Sequence, residues 1–146
     1  MDPDIKKAIE QAVDMEPFAK ALKMRLIELT YGRSLVEMTY EPDKMDNIYS
    51  RAHGGAIFSL IDEAFETASQ TDGTIAVALN VNVTYIASPR PEDRLTAEAR
   101  MSSRSKKTSS FDITVKDSNG KLIAKCAALA YRTGKPIPFL EKNKNP

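Results

Sequence analysis

The sequence predicts an α+β domain in which one long helix packs against one antiparallel sheet. Three observations predict it. One stretch, residues 56 to 70, repeats its apolar residues at the helical period. The chain after it breaks into segments that alternate apolar and polar residues with a period of two. The connections between those segments are short, and one holds Asn119-Gly120, a strong hairpin signal. A helix with one apolar stripe and strands with one apolar face bury each other, which gives a layered fold.

In chain order, residues 3 to 24 read as an amphipathic helical segment. Ile5, Ile9 and Val13, then Phe18, Ala21 and Leu22, mark its apolar side, and Pro17 separates two pieces. "RLIELTYGRSLVEMTY" reads as one or two strands turning at Tyr31-Gly32-Arg33. "EPDKMDN" contains Pro42 and reads as loop. The long helix follows, headed by Gly54 and Gly55, and "QTDGT" ends it. Four strands fill the rest. In the first, Val77, Leu79, Val81, Val83 and Tyr85 form one face. "LTAEARM" and "FDITVKD" alternate in the same way, and "KLIAKCAALAYR" is the last strand. Residues 134–146 read as a polar tail, and residues 1–146 as a single domain.

Composition narrows the function. A net charge of +1 supplies no bulk field toward nucleic acid or a membrane surface. No apolar run approaches the roughly 18 residues of a transmembrane helix, and the amphipathic start is unlike a signal peptide. The expected compartment is the cytoplasm. Cys126 is the only cysteine and His53 the only histidine, so neither a disulfide nor a protein-only zinc or haem site is expected. No metal is assigned.

The chemistry concentrates at the head of the long helix. On a helical wheel Ile57, Leu60, Ile61, Ala64, Phe65 and Ala68 form one stripe. Ser59 and Glu66 fall opposite, and Glu63 lies toward one edge of the stripe. Asp62 lies on the other margin, where a carboxylate is partly desolvated and its basicity raised. Gly54 and Gly55 let a ligand approach the backbone, and the first N–H groups of a helix have no internal partner. With the helix dipole they suit an oxygen that becomes negative during reaction. Gly54 and Asp62 are about 12 Å apart along the helix axis, too far for one carbonyl. A site using both draws them from two subunits.

These residues carry a resemblance. Asn47, His53-Gly54-Gly55 and the run through Asp62 to Ala68 resemble the signature of hotdog-fold acyl-CoA thioesterases, in the PaaI-like (phenylacetic acid degradation) group. The similarity extends over roughly residues 15 to 133. It implies a hotdog fold, with five to six antiparallel strands wrapped around the central helix. It also implies a homodimer with active sites at the interface, often doubled to a homotetramer. The implied reaction hydrolyses acyl-CoA, with no cofactor beyond the coenzyme A of the substrate. The Gly54 N–H then polarises the thioester carbonyl. Asp62 of the partner subunit is nucleophile or general base. Asn47 positions water or carbonyl, and His53 orders the loop or contacts the thioester. Gly55 adjoins the substrate. Ala78 stands where some relatives carry a serine or threonine, so no hydroxyl helper is expected. Arg104 and Lys106, with Arg90, Arg94 and Lys107, are candidates for the coenzyme A phosphates. The glycine that the family often places between the Asn and the His is replaced here by Ser50 or a neighbour.

Two alternatives stand beside hydrolysis. Hotdog hydratases place an acid four or five residues before the histidine, whereas Asp46 is seven before, and dehydratases put proline where Gly54 stands. Non-catalytic acyl-CoA binders often lose the helix acid, which Asp62 retains.

Overall fold

A computed structural model describes residues 1–140. The "EKNKNP" end of the expected tail lies outside the described residues. The elements are α1 (Pro3–Met15), α2 (Pro17–Ala21), β1 (Arg25–Thr30), β2 (Arg33–Thr39), α3 (Pro42–Met45), α4 (Gly54–Ser69), β3 (Thr74–Tyr85), β4 (Arg94–Arg104), β5 (Thr108–Lys116) and β6 (Leu122–Pro136). The strands form one six-stranded sheet in the order β1-β2-β4-β5-β6-β3, antiparallel throughout. No helix among the described residues is long and apolar enough to cross a membrane.

α4 lies in the concave face of the sheet. Its stripe, Ile57, Leu60, Ile61, Ala64, Phe65 and Ala68, is buried as the wheel predicts. Val36, Leu95, Phe111, Ile113, Val115 and Ile123 meet it from the strands. Phe65 packs edge-on against Phe111 at 5.3 Å between centroids. Ala97, Ala99, Ala124 and Ala130 are fully buried on the inner face, and their small side chains let the helix settle close to the sheet. Each large apolar side chain so buried is worth roughly 1.5–3 kcal/mol against exposure. Ser34 secures the helix from below, its Oγ donating to the Ala64 carbonyl at 2.6 Å.

The N-terminal helix breaks at Pro17 as expected. The β1–β2 hairpin turns at Gly32, whose φ of +67° suits glycine. In three places the structure departs from the sequence reading. "EPDKMDN" is not all loop: Pro42 starts the one-turn α3, which buries Met45. β6 runs on to Pro136, and Ile137 beyond it is fully buried with Ile9, Val13 and Leu29 under α1. Residues 134–140 are therefore no polar tail: the Ile137 N–H donates to the Gly73 carbonyl at 3.0 Å.

The third departure is in β3. Its pairing with β6 slips between Ala78 and Asn80, so Leu79 is an extra residue, a β-bulge. Before the bulge Ala76 and Ala78 pair with the inward-facing Arg132 and Ala130. After it Val81 and Val83 pair with the inward-facing Ala128 and Cys126. The single face expected for residues 77 to 85 is thus two half-faces. Val77 and Leu79 are 47% and 57% exposed.

Candidate active site

His53 is the N-cap of α4. Its Nδ1 accepts from the Gly55 N–H at 2.8 Å, so the neutral ring carries its hydrogen on Nε2. A Cβ on residue 55 would lie 3.0 Å from that nitrogen. Among the described residues the Gly54 N–H has no acceptor. The Gly54 carbonyl accepts from the Tyr85 hydroxyl at 3.1 Å, and a Cβ on residue 54 would lie 3.2 Å from the Tyr85 ring. A side chain at either position would therefore press on its neighbour by a few tenths of an ångström.

The loop ahead of the cap is braced internally. Asn47 Oδ1 accepts from the N–H groups of Tyr49 (2.8 Å) and Arg51 (3.2 Å), and the Asn47 N–H donates to the Arg51 carbonyl at 2.7 Å. The Asn47 oxygen is therefore spent on the loop, and only its amide nitrogen remains to meet a ligand. Ser50 has φ +53°, the left-handed region that favours glycine. Position 50 is thus a place where a glycine would sit without strain. Tyr40 anchors the same loop through its hydroxyl, which donates to Asp46 Oδ1. Burial, then that bond, pushes the Tyr40 phenol up to about 12.

Gly54 and Asn47 line one cleft with Arg51, Ile57, Tyr85 and Ile86. His53 lines a separate depression with Phe18, Leu22, Lys44 and Ser59. Asp62 belongs to a third, lined by Phe65, Glu66, Ser69, Ala76 and Ala78. Asp62 reaches solvent, yet the surrounding protein displaces enough water to raise its carboxyl above the ordinary value. The Leu79 bulge is what brings Ala78 to Asp62. The Gly54 and Asp62 clefts share no residue, so one chain does not unite them.

Three features escape the sequence reading. Ser69 lines the same cleft as Asp62, about 10 Å further along the same helix face, a spacing that could have revealed it, and its hydroxyl donates to the Glu66 carbonyl at 3.0 Å. Arg51 is exposed in the Gly54 cleft and makes no ion pair among the described residues. Its signal was its place in the loop between Asn47 and His53. Glu63, read as an edge position, is only 3% exposed. Of the basic candidates, Arg104 is engaged at the other end of α4, where its Nη2 lies 3.0 Å from Asp72 Oδ2. Arg94 pairs with Glu37 at 3.4 Å, and Lys107 lies 5.6 Å from the Tyr131 ring centroid. Lys106 is exposed on the β4–β5 connection.

The profile of the thioesterase superfamily matches residues 49–124. The acyl-coenzyme A thioesterase PaaI of Escherichia coli is 33% identical over 119 residues, covering 82% of this chain and 84% of that one. The solved structure of the E. coli PaaI protein superposes with a TM-score of 0.87 over 92% of this chain and 96% of that one, at 29% identity. A Streptococcus mutans protein solved with acetyl-CoA superposes with a TM-score of 0.74 over 78% of this chain and 91% of that one, also at 29% identity. Sequence and fold agree: the chain belongs to the thioesterase superfamily and is a PaaI-like thioesterase of the hotdog fold.

Proposed function

We propose that the protein hydrolyses acyl-CoA to a free acid and coenzyme A, with Gly54 and Asp62 as the catalytic pair. The observation that carries this reading is the unpaired Gly54 N–H at the head of α4, beside an open cleft. Water, or Asp62 itself, bonds to the thioester carbonyl carbon. The carbonyl oxygen takes the negative charge and is stabilised by the Gly54 N–H and the α4 dipole. The intermediate then collapses, the C–S bond breaks, and sulfur leaves as thiolate. If water attacks directly, Asp62 takes its proton and returns it to the sulfur. If Asp62 attacks, water then hydrolyses the acyl anhydride. The raised Asp62 carboxyl suits the base role. Asn47 meets substrate through its amide nitrogen. His53 acts by capping the loop and α4, and Gly55 lets the substrate approach.

The site is completed by a second copy. β3 is an edge strand with Val77, Leu79 and Tyr85 exposed, and Ile86 just beyond it is exposed too. Edge-to-edge pairing of two copies would cover them and bring the two clefts together. The enzyme is then a homodimer with two interface sites, doubled to a homotetramer, acting in the cytoplasm without a cofactor beyond the substrate's coenzyme A. Arg51 joins Lys106 as a phosphate contact, and Arg104 recedes.

The test is thiol release from phenylacetyl-, hydroxybenzoyl- and aliphatic acyl-CoA by wild type and Asp62→Asn. Turnover should fall about 10²- to 10⁴-fold in the variant. Binding without turnover by folded, oligomeric wild type, or hydration of crotonyl-CoA in its place, would overturn the reading.

A further inference from the structure

α4 buries a carboxylate on its packed side. Glu63 is 3% exposed, and its Oε1 has no hydrogen-bond partner among the described residues. Glu16, at the junction of α1 and α2, and Glu66, one turn along α4, face it. One carboxylate oxygen from each of the three lies within 4.8 Å of the others. Among the described residues no lysine or arginine pairs with any of them. Glu16 and Glu66 also line a groove beneath α1, beside Ile9, Val13, Thr67 and Phe139, which opens the cluster to solvent.

Three carboxylates so close repel one another, and a buried carboxylate left unpaired is costly. A positive charge at their centre removes both penalties. The donors are all oxygens, which suit hard cations such as Mg²⁺, Mn²⁺ and Ca²⁺, and the groove leaves room for the waters that complete their shells. The histidine and the cysteine are not among the cluster.

We propose that Glu16, Glu63 and Glu66 bind a hard divalent cation that clamps the α1–α2 junction onto α4. The spacing of Glu63 and Glu66 is one helical turn, while Glu16 comes from a segment 47 residues earlier in the chain. The site therefore forms only when the N-terminal helices dock. Glu66 also borders the Asp62 cleft. The site is independent of the hydrolytic reading.

The experiment is thermal melting of the full chain, stripped with EDTA and then given millimolar CaCl₂, MgCl₂ or MnCl₂, with calorimetric titration of the same salts. At least one cation should raise Tm by about 5 °C and bind one per chain. Glu63→Gln keeps the shape and removes the buried charge. It should melt above cation-free wild type and lose the cation response. If Glu63→Gln fails to fold, Glu16→Gln serves, and it should lose the response equally. No response of wild type to any of the three salts would overturn the proposal, since the cluster then shares protons instead. A response that survives in the variants would also overturn it, by placing the cation elsewhere.

Discussion

Among the described residues, the first turn of α4 leaves the Gly54 N–H unpaired beside an open cleft, with Arg51 exposed next to it. Around its last turn the polar groups are tied to one another. Thr71 Oγ1 accepts from the Gly32 N–H at 2.8 Å and donates to the Ala68 carbonyl at 2.9 Å. Asp72 holds Arg132 and Arg104 and accepts from the Thr74 N–H at 3.0 Å. Two arginines near the same helix thus have opposite fates. Arg104 is neutralised by the fold and closes a seam between α4, β4 and β6. Arg51 is left with its charge facing solvent. What a basic residue does here depends on its partner, and its residue type does not reveal it.

The contrast can be broken by substitution at either end. The largest effect is expected at the sealed end. Arg132→Ala removes the buried partner of Asp72 and leaves it only the more exposed Arg104, and chemical denaturation should show a loss of about 2–3 kcal/mol. A loss below ~1 kcal/mol would mean that the seam is not structural. At the open end, Gly54→Ala sets a methyl group 3.2 Å from the Tyr85 ring and shifts the first turn by tenths of an ångström. kcat/KM should fall about 10- to 100-fold with Tm nearly unchanged. Next, Arg51→Ala should raise KM for acyl-CoA several-fold and weaken its salt dependence, whereas Arg104→Ala should leave KM within about twofold. The reverse order would return Arg104 to the phosphate site.

The smallest effect concerns the brace under the loop. Tyr40 is buried and its phenol is raised to about 12, so the folded chain favours the neutral form. The stability it contributes is full below pH 10 and is lost as pH rises from about 10 toward 12. Tyr40→Phe should cost about 1 kcal/mol at pH 7, and the deficit should shrink above pH 10 in denaturation curves. A deficit independent of pH would show that the hydroxyl is not what the loop needs.

Periodicity and helix-end chemistry made part of this legible. The α4 stripe could be read because spacing of 3.6 needs no knowledge of distant partners. Gly54 could be read because a helix start always leaves N–H groups unpaired, and the eight-residue gap to Asp62 pointed to separate clefts. Glu63 could not be read, since its burial depends on α1 and α2 folding over it. The partner of Arg104 could not be read for the same reason: Asp72 lies 32 residues away in sequence. The burial of Ile137 waits on Leu29 and α1.

The bulge at Leu79 turns β3 into a strand with two phases. Ala76 and Ala78 answer to the Asp62 cleft, while Val81 and Val83 answer to the core beneath α4. Straightening the strand at 79 without removing a residue would act inside the folded protein as a frameshift acts in a gene. Every side chain on one side of it would exchange inside for outside, and either the core would lose its two valines or Asp62 would lose its small neighbour. Deleting Leu79 would instead heal the bulge and leave Ala76, Ala78, Val81 and Val83 all facing inward.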